Sequence, residues 1–116
     1  MANQRDLEGA VPHVLHMSAG DDIVAGLKRF FIDGGWTELV IMGCAGSMEK
    51  AVVCYPQEAT LPPVVERIEM DGAFEICTIT GNVIYDNGAP RVHLHGSFRE
   101  GSRIFKSADF FLLAYK

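Results

Sequence analysis

Only one stretch of this chain carries helical periodicity, and almost everything after it reads as strand. That imbalance constrains the fold more than any other feature. Ile23, Leu27, Phe30 and Phe31 recur at helical spacing, with Lys28 and Arg29 on the wet side. Ser18-Ala-Gly-Asp21-Asp22 supplies start chemistry, because a carboxylate caps free N–H groups and complements the helix dipole. Gly34-Gly35 supplies the stop, since glycine readily takes the left-handed conformation beyond a helix end. A single amphipathic helix must therefore cover whatever the strands build.

His13 to Met17 reads as a short strand before the helix, preceded by a polar, aperiodic segment. Residues 1–11 are expected to be a flexible tail and 12–116 one domain. Glu38 to Cys44 is an apolar run, with a tight turn expected at Ala45-Gly46-Ser47 before a second strand from Glu49 to Tyr55. Pro62-Pro63 breaks the chain ahead of a strand from Val64 to Met70, and Asp71-Gly72 is a hairpin signal. Ala73 to Tyr85 is apolar on both faces, as a central strand would be, and Gly81 within it suggests a bulge or a close backbone approach. Asp86-Asn87-Gly88 turns the chain into Arg91 to Phe98, and Ile104 to Tyr115 closes the sheet. The expected fold is α+β: one domain with a mostly antiparallel sheet and one principal helix packed against it.

The chain is 116 residues long, 48% hydrophobic and 22% charged, which suits one folded domain with a real core. Its net charge of −5 argues against binding nucleic acid through bulk electrostatics. A local basic cluster, Arg91, Arg99, Arg103 and Lys106, is the one candidate contact for an anion or nucleic acid. The N-terminus has no signal pattern and no run reaches membrane-spanning length, so a cytoplasmic protein without a membrane partner is expected. Cys44, Cys54 and Cys77 are odd in number, sit in apolar surroundings and form no C-x-x-C pair; they read as small buried hydrophobes.

His93-Leu94-His95 is the densest chemistry in the sequence. On a strand, residues two apart share a face, so Val92 and Leu94 would point into the core and both imidazoles away from it. With Cα atoms about 7 Å apart, two imidazoles can converge on one ion or anion. Zinc normally takes a third protein ligand. His13 and His16 are three apart, so at most one of them could join without a bend. Gly43-Cys44-Ala45-Gly46-Ser47 matches neither a phosphate loop nor a nucleophile elbow, and no base stands beside Cys44. Of the carboxylates near the centre, Glu66, Glu69 and Glu75, the last sits inside an apolar run. It is expected to be a structural buried charge, paired with an arginine across the sheet or across a subunit interface.

Several segments together resemble the PPC family (plants and prokaryotes conserved). They are Ala19-Gly20-Asp21-Asp22-Ile23, Gly46-Ser47-Met48, Phe74-Glu75-Ile76, Thr80-Gly81-Asn82-Val83, and Pro90-Arg91-Val92-His93-Leu94-His95. Their order and spacing run from about residue 13 to the C-terminus. The resemblance implies a small α+β domain that forms homotrimers, and its prokaryotic members are often labelled DNA-binding proteins. In many of them a Gly-Gly-His segment follows the H-x-H strand, and the three histidines suggest a divalent metal such as zinc. Here His93 and His95 match the first two positions, but the chain continues from Gly96 to Ile104 without Gly-Gly-His. It also lacks an Arg-Gly-Arg-Pro AT-hook.

The expectation is a homotrimeric binding or assembly module rather than an enzyme, with a small-ligand or partial metal site at His93 and His95. Two alternatives stand beside it. One is a DNA-binding regulator whose trimer pools Arg91, Arg99, Arg103 and Lys106. The other is a metal-dependent enzyme whose site is completed by a neighbouring subunit. Self, DNA or another protein are the partners these readings name.

Overall fold

The computed structural model describes residues 3–4, 6, 8–56, 65–76, 78–95 and 98–116. Strand β1 (Val11–Ser18) leads into helix α1 (Ile23–Asp33). Strands β2 (Glu38–Pro56), β3 (Val65–Ile76), β4 (Gly81–Asp86), β5 (Ala89–Leu94) and β6 (Arg103–Tyr115) follow. All form one sheet in the order β1-β6-β2-β4-β5, with β3 paired to β2 off that path. Every pairing is antiparallel. The architecture is the α+β arrangement of one helix on a mostly antiparallel sheet. No helix among the described residues is long and apolar enough to cross a membrane.

The helix forms where its caps place it. Asp22 Oδ1 accepts from the Ala25 N–H at 3.0 Å, and Asp22 Oδ2 accepts from the Gly101 N–H at 2.6 Å. One side chain thus caps the helix and holds the loop before β6. At the far end Gly35 takes φ +66°, where an L side chain would be strained. Ile23, Val24, Leu27 and Phe31 are buried against the sheet. Burying each large side chain is worth about 1.5–3 kcal/mol. The sheet answers with Leu39 and Ile41 of β2, Val83 of β4, Leu94 of β5, and Phe110 and Leu112 of β6.

Two expected turns are continuous strand instead. Residues 38–44 and 49–55 belong to one strand, β2, rather than two joined by a turn at Ala45-Gly46-Ser47. The small residues there serve close approach: a Cβ on Gly46 would collide with the Ser107 carbonyl and with Ala108 of β6. Pairing shifts on either side of Met48 bend the strand without ending it. Asp71-Gly72 is likewise no hairpin. Between Met48↔Phe74 and Lys50↔Asp71, β3 advances three residues while β2 advances two, so the pair forms a bulge with Gly72 at φ +142°.

The segment Ala73 to Tyr85 is consequently split between the end of β3 and β4 up to Tyr85, and the central strand is β2. The first half of β2 lies between β6 and β4, and its second half leaves β4 to pair with β3. Gly81, by contrast, makes the expected close approach, because a Cβ there would run into the His93 carbonyl. The break expected at Pro62-Pro63, the start of the following strand at Val64, and Cys77 lie outside the described residues.

Candidate functional site

The β4–β5 hairpin positions the histidines. Asn87 and Gly88 have φ of 51° and 80°, the two left-handed residues of a tight two-residue turn whose twist matches the flanking strands. The turn fixes the register Asp86↔Ala89, and so sets His93 opposite Asn82 and Arg91 opposite Ile84. Val92 and Leu94 point toward the helix side, while His93 and His95 are exposed. The expected division of faces holds. His93 lines a 180 Å³ recess with Asn82, Ile84 and Arg91. His95 stands just beyond the strand, held by its N–H donating to the Thr80 carbonyl at 2.7 Å, and does not line that recess.

Neither remaining histidine described supplies a third ligand. His13 lies between Phe30 and Trp36, with ring centroids 5.2 and 5.3 Å away. Its Nε2 is buried without a hydrogen-bond partner. His16 Nδ1 meets Asp109 Oδ1 at 2.7 Å on the exposed face. β1 and β5 are opposite ends of the strand order, four steps or about 19 Å apart, so these residues cannot reach His93. Among the described residues no group of three or more His, Cys, Asp or Glu could hold a metal ion. The described residues of a single chain therefore do not offer the donor set a complete zinc site needs.

Of the four basic residues, two line one cavity. Arg91 and Arg99 line a 540 Å³ cavity beside the helix, together with Lys28 and Arg67. Arg103 opens β6, where its backbone bridges to Asp22, and the Lys106 ammonium sits 5.8 Å above the Phe105 ring. Arg103 and Lys106 are not among the residues that line that cavity.

Glu75 is exposed, opposite Ser47 on β3, so within the chain it is no buried charge. The residue resembles a core position only if Ala73–Tyr85 is a central strand, and β3 is not one. Among the described residues the buried carboxylate is Glu38, which accepts a 2.6 Å hydrogen bond from the Tyr115 hydroxyl. Its signal, a glutamate opening the apolar run from Glu38 to Cys44, was present in the sequence. Glu66 is exposed on β3. Arg67, and then Lys50, hold the Glu69 carboxyl below the usual range. Cys44 is buried, and burial first, then Asp109, pushes its thiol up to about 12. That makes it a poor nucleophile, consistent with an inert strand residue.

Sequence reasoning missed the face on which His93 stands. Pro12, Leu113, Val40, Asn82 and His93 are paired in one row across the sheet. Val14 pairs with Phe111 in the adjacent row. Val14, Met42 and Phe111 are 64, 58 and 43% exposed and share a 300 Å³ groove with Pro12 and Leu113. No helix among the described residues covers this side, since α1 packs its buried residues on the other. The missed signal is the unbroken apolarity of Phe110 to Ala114, which serves both faces at once.

The model of the Plants and Prokaryotes Conserved (PCC) domain matches residues 5–105. The chain belongs to the PCC domain family. Solved structures of the same fold include a plant- and prokaryote-conserved (PPC) protein of Pyrococcus horikoshii, at 18% identity and TM-score 0.73, covering 97% of this chain and 85% of that one. A metal-containing protein of Archaeoglobus fulgidus matches at 20% identity and TM-score 0.78, covering 98% and 86%. A protein of Bacteroides thetaiotaomicron described as a DNA-binding candidate matches at 17% identity and TM-score 0.72, covering 96% and 81%. A search of curated proteins found no match. The PCC assignment agrees with the ordered segments from Ala19 to His95, and at these identities the structural likeness speaks for the fold.

Proposed function

We propose that this PCC domain is a homotrimeric assembly module that carries a small-ligand site near His93. The observation behind the reading is the uncovered apolar sheet face, with Val14, Met42 and Phe111 exposed in one groove and Val40 and Leu113 beside them. Contiguous exposed apolar surface marks an interaction site, and a second copy of the chain brings the same surface to meet it. The number three comes from the resemblance to the PPC family. Light scattering after size-exclusion chromatography, at micromolar concentration, should give three chain masses; a stable monomer would refute the assembly.

A second reading concerns the histidines. His93 shares its row with Val40 and Leu113, so a neighbour docked on that face would border its recess. The metal-containing relative from Archaeoglobus makes a divalent cation such as zinc the ion to try. Metal analysis of protein purified without a histidine tag should then find metal bound to the assembly, and its loss in His93→Ala. Absence of stoichiometric metal, with melting unchanged by chelator, removes this reading and leaves the assembly intact. Direct DNA binding, suggested by the Bacteroides relative, would need Arg103 and Lys106 of one subunit to meet Arg91 and Arg99 of another. It predicts steeply salt-dependent affinity for duplex DNA, and no binding at low salt rejects it.

A further inference from the structure

The 540 Å³ cavity beside the helix is distinct from the apolar face and shares only Arg91 with the His93 recess. Four of the ten Lys and Arg residues of this acidic chain line it: Lys28 from α1, Arg67 from β3, Arg91 from β5 and Arg99 from the loop before β6. Among the described residues, only Asp86 and Glu100 oppose them in the lining. Glu100 is engaged by Lys28 at 2.9 Å, while Asp86 reaches Arg91 only at 3.9 Å, beyond hydrogen-bond distance. Arg67 holds Glu69 outside the cavity at 2.9 Å. Between the cations the lining is apolar, with Val24, Pro90, Val92 and Phe98.

The loop that presents Arg99 is fixed before any ligand arrives. The Arg99 N–H donates to the Val52 carbonyl at 2.8 Å, and its carbonyl accepts from the Ser102 N–H at 3.2 Å. The fully buried Ser102 hydroxyl bonds both the N–H and the carbonyl of Val52, at 3.0 and 3.2 Å. Asp22 holds the Gly101 N–H at 2.6 Å. Phe98 forms a backbone bridge with Val53 and packs against the core. A guanidinium on a clamped backbone loses less freedom on binding than one on a loose loop.

We infer that this cavity binds a small organic phosphate, its anion held by Arg91 and Arg99 and its apolar body lying on Val92 and Phe98. Guanidinium groups match phosphate oxygens in paired, charge-assisted hydrogen bonds. The volume falls within the range of about 300–1,000 Å³ usual for small-ligand sites, which combine apolar walls with a few polar anchors. A concave site with an apolar floor suits a free ligand better than the phosphate backbone of a duplex, which presents no apolar group to fill it.

Calorimetric titration of the whole protein with phenyl phosphate, inorganic phosphate and benzyl alcohol tests the inference. Phenyl phosphate should bind saturably, one per chain, and at least about tenfold more tightly than either fragment. Arg99→Ala and Arg91→Ala should each weaken it about tenfold or more with melting unchanged, and Arg103→Ala, outside the cavity, should leave it as it was. Failure of phenyl phosphate to bind at millimolar concentration would overturn the inference. So would equal loss in Arg103→Ala, or wild-type affinity in both cavity variants. A short DNA duplex is the remaining arm: duplex binding that depends on Arg99, without phenyl phosphate binding, would assign these cations to nucleic acid instead. None of these outcomes depends on the oligomeric state, so the inference and the assembly reading fail separately.

Discussion

The two faces of the sheet are built from the same strands yet meet different surroundings. On the inner face Leu39, Ile41, Phe110 and Leu112 are buried beneath α1. On the outer face, one residue along the same strands, Val40 and Leu113 are half-buried and Phe111 is exposed. A sheet wet on one side alternates apolar and polar residues. Here the alternation fails in the middle of the sheet and returns toward its ends, at Asn82, Arg91 and His93 in one direction and His16 and Asp109 in the other. The contrast teaches that the helix completes only half of what these strands require.

The comparison breaks most visibly at the inner face. Leu27→Ala removes a fully buried side chain and should cost about 2–5 kcal/mol in urea denaturation. An effect below about 1 kcal/mol would mean the inner face is not the core it is taken to be. Phe111→Glu should act in the opposite way. It should leave the circular dichroism of the chain native while weakening self-association at least about thirtyfold, the scale of an interface hot spot. If Phe111→Glu instead unfolds the chain as Leu27→Ala does, the two faces are not energetically distinct.

Smaller effects sharpen the picture. Asp22→Ala loses both the helix cap and the bond to Gly101, and should lower stability by about 1–2 kcal/mol. Cys44 gives a pH signature. Its thiol is raised from 9.0 to about 12, so above pH 9 the unfolded chain releases a proton that the folded chain keeps. Stability is therefore unaffected by this group below pH 9 and falls as pH rises from 9 toward 12. Unfolding titrations of Cys44→Ala should lack that part of the alkaline decline; identical curves would contradict the burial of the thiol. His93→Ala, at an exposed position, should change chain stability by no more than about 0.5 kcal/mol.

Local signals were the legible ones. Asp22 and Gly35 bound the helix, Asn87-Gly88 makes the hairpin, and Gly81 makes a close approach, because each acts through its own backbone or its immediate neighbours. Asp71-Gly72 and Ala45-Gly46-Ser47 misled for a shared reason. Glycine permits a sharp turn and a bent, tightly packed strand equally well, and only the pairing of β2 with β3 and β6 decides between them. The same non-local choice moved Glu75 to the surface and made Glu38 the buried carboxylate. The H-x-H face was readable from alternation alone. Its position beside an apolar surface was not, because the strand order sets it, and neither was the convergence of Lys28, Arg67, Arg91 and Arg99 from four separate segments.

The uncovered face is tested most directly by the solution mass of the intact protein and of Phe111→Glu, measured side by side by light scattering at micromolar concentration. The account predicts three chain masses for the native protein and one for the variant, both folded. A native protein that is a stable monomer, or a variant with undiminished assembly, would contradict it.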